Sequence, residues 1–262
     1  MTGSSTSWRG ARYVALGSSY ASGPGLGAPV PGSPPDARRT TGNYAHLLAE
    51  RLGLDLVDAT SSGAVTADLR WKRQYGQPPQ ADALTADTQL VTVTVGGNDI
   101  GYASGLMLAG LPLASIPLRA LSTARSLLAP AAGPRSLALL PAAMVLVGEL
   151  IRRRSPGARV MFVEYLTVLP PDPRTPVPHF SARQAAAGRE KLAALQLATA
   201  AAARSTGSVL VPVTAASANH HAWSAEPWTT GAVKPQGLDD PLPFHPNRAG
   251  MAAVAELIEQ HL

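Results

Sequence analysis

The chain has no cysteine in its 262 residues, which removes disulfides, a thiolate nucleophile and every cysteine-ligated metal site. It also lacks any run near the ~20 uninterrupted apolar residues that a membrane-crossing helix needs. The segment Met1 to Arg12 has no apolar core of the kind a secretory leader carries. A cytoplasmic location is the expectation, with a secreted mature form left open. No internal repeat and no low-complexity tail interrupt the chain. His46, His179, His220 and His221 have no metal-like partner spacing and read as loop or surface residues. Neither a metal nor an organic cofactor is expected.

What is present suits one globular domain spanning residues 1–262, with 45% hydrophobic and 15% charged residues. Lys and Arg number 22 against 17 Asp and Glu, leaving a formal charge of +5. The basic residues cluster at Arg70 to Arg73 and Arg152 to Arg154. The second cluster suits the end of a helix, where the dipole favours cations. Both read as solvated termini or loops, and no nucleic-acid partner is expected.

Five short apolar runs bounded by Gly, Pro, Asp or Ser predict buried strands: Arg12–Leu16, Leu54–Asp58, Leu90–Val95, Arg159–Glu164 and Ser208–Val213. Between them lie helical patterns. Asn43 caps Tyr44–Leu52, Pro141 opens a helix to Arg154, Ser181 caps an Ala-rich run to Arg204, and a last helix covers about Arg248 to His261. This alternation predicts an α/β fold, a parallel sheet covered on both faces. The Pro-punctuated apolar segment Leu106 to Leu140 predicts broken helices, either a lid or acyl-binding wall or extra core helices. From Thr214 to Phe244 the chain has no periodic pattern, and so long a connection is commonly functional.

Open parallel sheets place their sites beyond the carboxyl ends of the strands. The first strand runs into Gly17-Ser18-Ser19-Tyr20-Ala21-Ser22-Gly23, the second into Ser61-Ser62-Gly63 and the third into Gly96-Gly97-Asn98-Asp99. With strand order 2-1-3-4-5 these turns become neighbours. A nucleophilic serine needs an exposed hydroxyl on a sharp turn, a histidine to take its proton, and donors aimed at the oxyanion. The N–H groups of Ser19 and Gly63 and the amide of Asn98 can supply the donors, and Asp99 can cap the segment after it. His245, in Phe244-His245-Pro246-Asn247 before the last helix, supplies the base. The first turn lacks the three-glycine spacing of a dinucleotide site.

These four blocks, in this order from Tyr13 to Leu262, resemble those of the SGNH (GDSL-like) hydrolases. The Pro-Phe-His-Pro-Asn ending with Glu226-Pro227-Trp228 is similar to the actinobacterial lipase and esterase branch. The resemblance implies a three-layer sandwich around a five-stranded parallel sheet of flavodoxin-like order 2-1-3-4-5. It also implies Ser19 as nucleophile, His245 as base, and Ser19, Gly63 and Asn98 as oxyanion donors. Two positions depart from the family pattern. Ser18 stands where Asp usually precedes the nucleophile, and Leu242 stands where Asp usually lies three residues before the histidine. The Leu242 main-chain carbonyl is then the expected acceptor for the His245 ring, with Asp239 or Asp240 as alternatives. The implied activity is hydrolysis of a small-molecule ester, with an apolar acyl chain suggested by Leu106 to Leu140. A carbohydrate acetylesterase and a non-catalytic binding protein on the same fold are the alternatives.

Overall fold

A computed structural model describes residues 8–110, 134–237 and 240–262. Its centre is a five-stranded, all-parallel sheet in the order β2-β1-β3-β4-β5. The strands are β1 (Arg12–Gly17), β2 (Asp55–Asp58), β3 (Leu90–Thr94), β4 (Arg159–Val163) and β5 (Val209–Val211). All five predicted runs are strands, each differing from its expected limits by three residues or fewer in total.

Alternation along β1 separates two cores, because successive side chains in a strand point to opposite faces. Val14 and Leu16 pack with Leu69, Leu106, Met144, Val147 and Leu195. Tyr13 and Ala15 face the other way, onto Tyr44, Leu48, Met251, Val254 and Ile258. The first layer is built from α3 (Thr66–Arg70), α4 (Tyr102–Gly110), α5 (Pro134–Arg154) and α6 (Ala182–Ser205). The second is built from α2 (Tyr44–Leu52) and α8 (Arg248–Gln260). Two short helices, α1 (Ser19–Ser22) and α7 (Val213–Ala216), follow β1 and β5. The connection from β1 leaves toward α2 and that from β2 toward α3, on opposite faces, so the crevice where chain direction switches opens over β1 and β3.

Helix starts follow their caps. The Asn43 side chain accepts from the N–H groups of Ala45 and His46, and the Ser181 hydroxyl from that of Gln184. Pro141 does not open its helix as expected. The helix begins at Pro134 and carries Pro141 in its interior, where proline can donate no bond to the carbonyl four residues earlier and costs stability. Flanking helix formers and the burial of Leu140, Met144, Val147 and Ile151 hold the helix through that position. The expected lid or wall at 106–140 falls partly on α4 and α5, while 111–133 lie outside the described residues. Among the described residues no helix is long and apolar enough to cross a membrane.

Candidate active site

The turn after β1 is tight because Gly17 adopts φ +151°, and a Cβ there would sit 2.5 Å from the Thr94 carbonyl oxygen. Ser18 then occupies the N-cap position of α1, and its N–H bonds Thr94 O at 2.9 Å. Ser19 is the first residue of that helix, so its N–H is one of the donors a helix leaves without an intrahelical partner. Gln80, which the sequence did not single out, grips Gly17 at both ends: Gly17 N–H donates to Gln80 Oε1 at 2.8 Å, and Gln80 Nε2 donates to Gly17 O at 3.0 Å.

The structure brings Ser19 and His245 together across 226 residues of chain, with Ser19 Oγ 2.8 Å from His245 Nε2. Both are buried, at 4% and 2% exposure. The other ring nitrogen corrects an expectation. His245 Nδ1 lies 2.8 Å from the carbonyl of Pro243, not Leu242. The Leu242 carbonyl is taken by the Thr230 hydroxyl at 2.6 Å. Phe244 sits at φ +58°, a left-handed turn that folds the Pro243 carbonyl under the ring two residues on. Asp239 lies outside the described residues. Asp240 turns its carboxylate to the N–H groups of Gln236 and Gly237.

The histidine segment is held from several sides. Thr230 N donates to His245 O at 2.8 Å, and His245 N donates to Thr230 Oγ1 at 3.2 Å. Tyr20, next to Ser19, donates its hydroxyl to Phe244 O at 2.5 Å and lies tilted beside the imidazole, with ring centroids 5.0 Å apart. Asn247 accepts from Gly250 N and caps α8. Burial pushes the His245 pKa from 6.5 down to about 4, against the raising effect of the Pro243 carbonyl and with help from the Arg38 charge. The imidazole is therefore neutral at pH 7.

The remaining turns converge on the same crevice. Ser61 N donates to Gly17 O at 3.0 Å, tying the second turn to the first. Gly63 is exposed at φ +79°. Asn98 donates one amide hydrogen to Ala64 O at 2.9 Å, which ties the third turn to the second and fixes the direction of the other hydrogen. Asp99 does not cap the segment after it. Its carboxylate instead accepts from Thr66 Oγ1 at 2.6 Å and from Thr66 N at 3.1 Å, at the start of α3. Gly97 is required by Tyr165, whose ring would meet a Cβ at 2.7 Å. Gly97 N–H donates to the Tyr165 hydroxyl at 2.9 Å, and that hydroxyl lies 3.1 Å from Ser18 Oγ. Tyr165 can donate to Ser18, so a small hydroxyl here receives the bond that a carboxylate at position 18 could also receive.

The other histidines stay away from this centre. His46 faces Asp58 at 3.4 Å, and His220 stacks on Trp228 with centroids 4.1 Å apart. Among the described residues no group of three or more His, Cys, Asp or Glu is arranged to hold a metal ion. An apolar wall stands next to His245: Phe180 and Trp223 pack around Phe244, and the end of α4 at Gly110 lies against the Phe244 ring with no room for a Cβ.

The chain is similar in sequence and in fold to known proteins. The model of the GDSL-like Lipase/Acylhydrolase family matches residues 15–253. Lipase 2 of Streptomyces coelicolor is 46% identical over 87 residues, covering 33% of this chain and 29% of that protein, so the match spans under a third of the relative's length. Phospholipase A1 of Streptomyces albidoflavus superposes with a TM-score of 0.74 at 27% identity, over 97% of this chain and 100% of that one. The extracellular lipase of Streptomyces rimosus gives 0.72 at 25% identity, over 96% and 100%.

Proposed function

The chain belongs to the GDSL-like lipase/acylhydrolase family, and on that premise we propose that it hydrolyses carboxylic esters of small molecules through an acyl-Ser19 intermediate. Ser19 Oγ attacks the ester carbonyl carbon while His245 Nε2 takes its proton, and the resulting imidazolium is steadied by the Pro243 carbonyl. The N–H groups of Ser19 and Gly63 and the free amide hydrogen of Asn98 receive the oxyanion. Collapse breaks the bond to the alkoxy oxygen, which leaves as the alcohol with the proton from His245. Water then repeats the sequence: His245 takes its proton, the hydroxyl oxygen bonds the acyl carbon, and Ser19 leaves reprotonated with release of the acid. No step draws on a metal or cofactor.

The observation that carries this reading is the 2.8 Å contact between Ser19 Oγ and a buried His245 Nε2. A neutral base already in hydrogen-bond reach of a serine on a sharp turn is what nucleophilic acyl transfer needs. The wall of Phe180, Trp223 and Phe244 beside the base favours an apolar acyl chain over acetate. An extracellular site of action, like that of the Streptomyces rimosus lipase, suits such substrates better than the cytoplasmic location expected above.

The test is intact-mass analysis after fluorophosphonate treatment of the wild type, Ser19→Ala and Ser18→Ala. Labelling of the wild type and of Ser18→Ala, lost in Ser19→Ala, is the expected pattern. A folded wild type that takes no label would replace the hydrolase reading with that of a binding protein. A series of p-nitrophenyl esters then reads acyl preference, and a strict preference for acetate would overturn the apolar-chain assignment.

A further inference from the structure

The loop after α3 carries features that the catalytic reading does not use. Arg70 ends that helix, and Trp71, Lys72, Arg73 and, after Gln74, Tyr75 follow it, with Trp71 62% and Tyr75 45% exposed. Folded chains seldom leave a tryptophan so open without a partner for it. Arg70 places its guanidinium 4.5 Å over the Trp71 ring, and Lys72 and Arg73 are exposed beside it. The only acid paired with these cations among the described residues is Asp68, 3.5 Å from Lys72.

The backbone presents the loop under strain. Gln74 and Gln77 pair across a tight turn whose two central residues, Tyr75 and Gly76, have φ of +49° and +76°. Such a turn favours Asn or Gly at the first of these positions, so a tyrosine there costs stability and is held at the tip by its surroundings. Arg73 donates to Gly76 O at 2.7 Å and braces the turn. The loop also borders the candidate active site. Gln74 Nε2 donates to Ser62 O at 2.9 Å, and the Tyr75 hydroxyl lies 3.5 Å from where a Cβ on Gly63 would stand.

We propose that residues 70–75 form a docking surface for an anionic phospholipid aggregate, seating the mouth of the site at Gly63 against the lipid–water interface. The chemistry matches such a surface: Trp and Tyr settle at the headgroup level, where a ring meets both apolar and polar surroundings, and neighbouring Lys and Arg are drawn by negative headgroups. The net charge of +5 acts in the same direction. That esters in the aggregate are then cleaved rests on the function proposed above, but docking does not need turnover.

Cosedimentation with phosphatidylglycerol and phosphatidylcholine vesicles, using the uncleaving Ser19→Ala protein as the parent, tests the surface separately from the chemistry. The parent should bind phosphatidylglycerol vesicles more tightly than phosphatidylcholine ones, and added salt should weaken that binding. Arg70→Gln/Lys72→Gln/Arg73→Gln should lower affinity for the anionic vesicles about a hundredfold and Trp71→Ala about tenfold. The same substitutions in the active protein should leave hydrolysis of a soluble p-nitrophenyl ester unchanged, which also shows that they fold. Absence of binding to anionic vesicles would overturn the proposal. So would equal retention of parent and Trp71→Ala by the vesicles and by heparin, which would reduce the loop to a patch of charge.

Discussion

Gln80 and Gly17 pair like two peptide groups, the side-chain amide of one meeting the N–H and carbonyl of the other at 2.8 and 3.0 Å. β2 pairs with β1 only as far as Ala15, so Gln80 continues that edge where the strand has ended. It thereby fixes the residue from which the Ser18-Ser19 turn departs. Gln80→Leu should keep the packing volume while leaving the buried Gly17 N–H without its partner, the Gly17 carbonyl keeping Ser61 N, at a cost of about 2 kcal/mol. The misaimed hydroxyl should lower kcat about tenfold with little change in KM. Denaturant titration and steady-state kinetics check both halves; a destabilised enzyme with unchanged kcat would leave Gln80 a purely structural residue.

Asn98 has one amide hydrogen committed to Ala64 O, which aims the other. Asn98→Ala removes that donor, and turnover on an ester should fall about a hundredfold or more, as losing one oxyanion contact costs ~3 kcal/mol of transition-state stabilisation. Labelling by fluorophosphonate should slow but still occur, because Ser19 and His245 remain. Unchanged turnover would remove Asn98 from the mechanism.

The depressed His245 pKa, from 6.5 to about 4, separates activity from stability in acid. The base stays unprotonated as pH falls toward 4, so the acid limb of kcat/KM should lie near 4, not near 6.5. Stability behaves otherwise. Between these values the unfolded chain binds a proton that the native chain does not, so stability is present above 6.5 and drains away as pH falls to about 4. The loss from this one group is about 3 kcal/mol. Urea midpoints of wild type and His245→Gln should therefore diverge in slope across that window, with the variant less sensitive to pH. Parallel profiles would contradict the buried neutral imidazole.

Pro141 inside α5 costs the helix one backbone bond without ending it. Pro141→Ala restores the donor and should add about 1–2 kcal/mol, raising Tm by about 3–6 °C. A lowered melting point would mean that the ring packs in a way that compensates for the missing bond.

The sequence made these positions visible to different degrees. The five strands are readable because each is a short apolar run punctuated by turn residues, and the two cores follow from simple alternation in β1. The meeting of Ser19 and His245 is legible because each residue stands on a recognisable turn, one after β1 and one before the last helix. Gln80 was hidden because its partners are backbone groups 63 residues away, which leave no side-chain signature. Proximity in sequence suggests a local capping role for Asp99, whereas its partner Thr66 follows β2 and comes near only when β2 and β3 lie on either side of β1. Counting three residues back from the histidine along the motif points to Leu242, one residue before Pro243, whose carbonyl meets the ring. The left-handed turn at Phe244, at a residue type that seldom adopts it, decides which carbonyl meets the ring. Pro141 looked like a helix start because proline favours first turns, and the burial of its neighbours overrode that preference.

The acceptor for His245 Nδ1 being a main-chain oxygen has an evolutionary corollary. A carboxylate in that place could be lost by a single codon change and would add its own titration to that of the base. The Pro243 carbonyl belongs to the peptide, and any residue at 243 would provide one. What selection must preserve is the path of the chain through Phe244 and its anchors at Tyr20 and Thr230, so drift should be tolerated at the orienting position itself and resisted at the residues that bend the chain toward it.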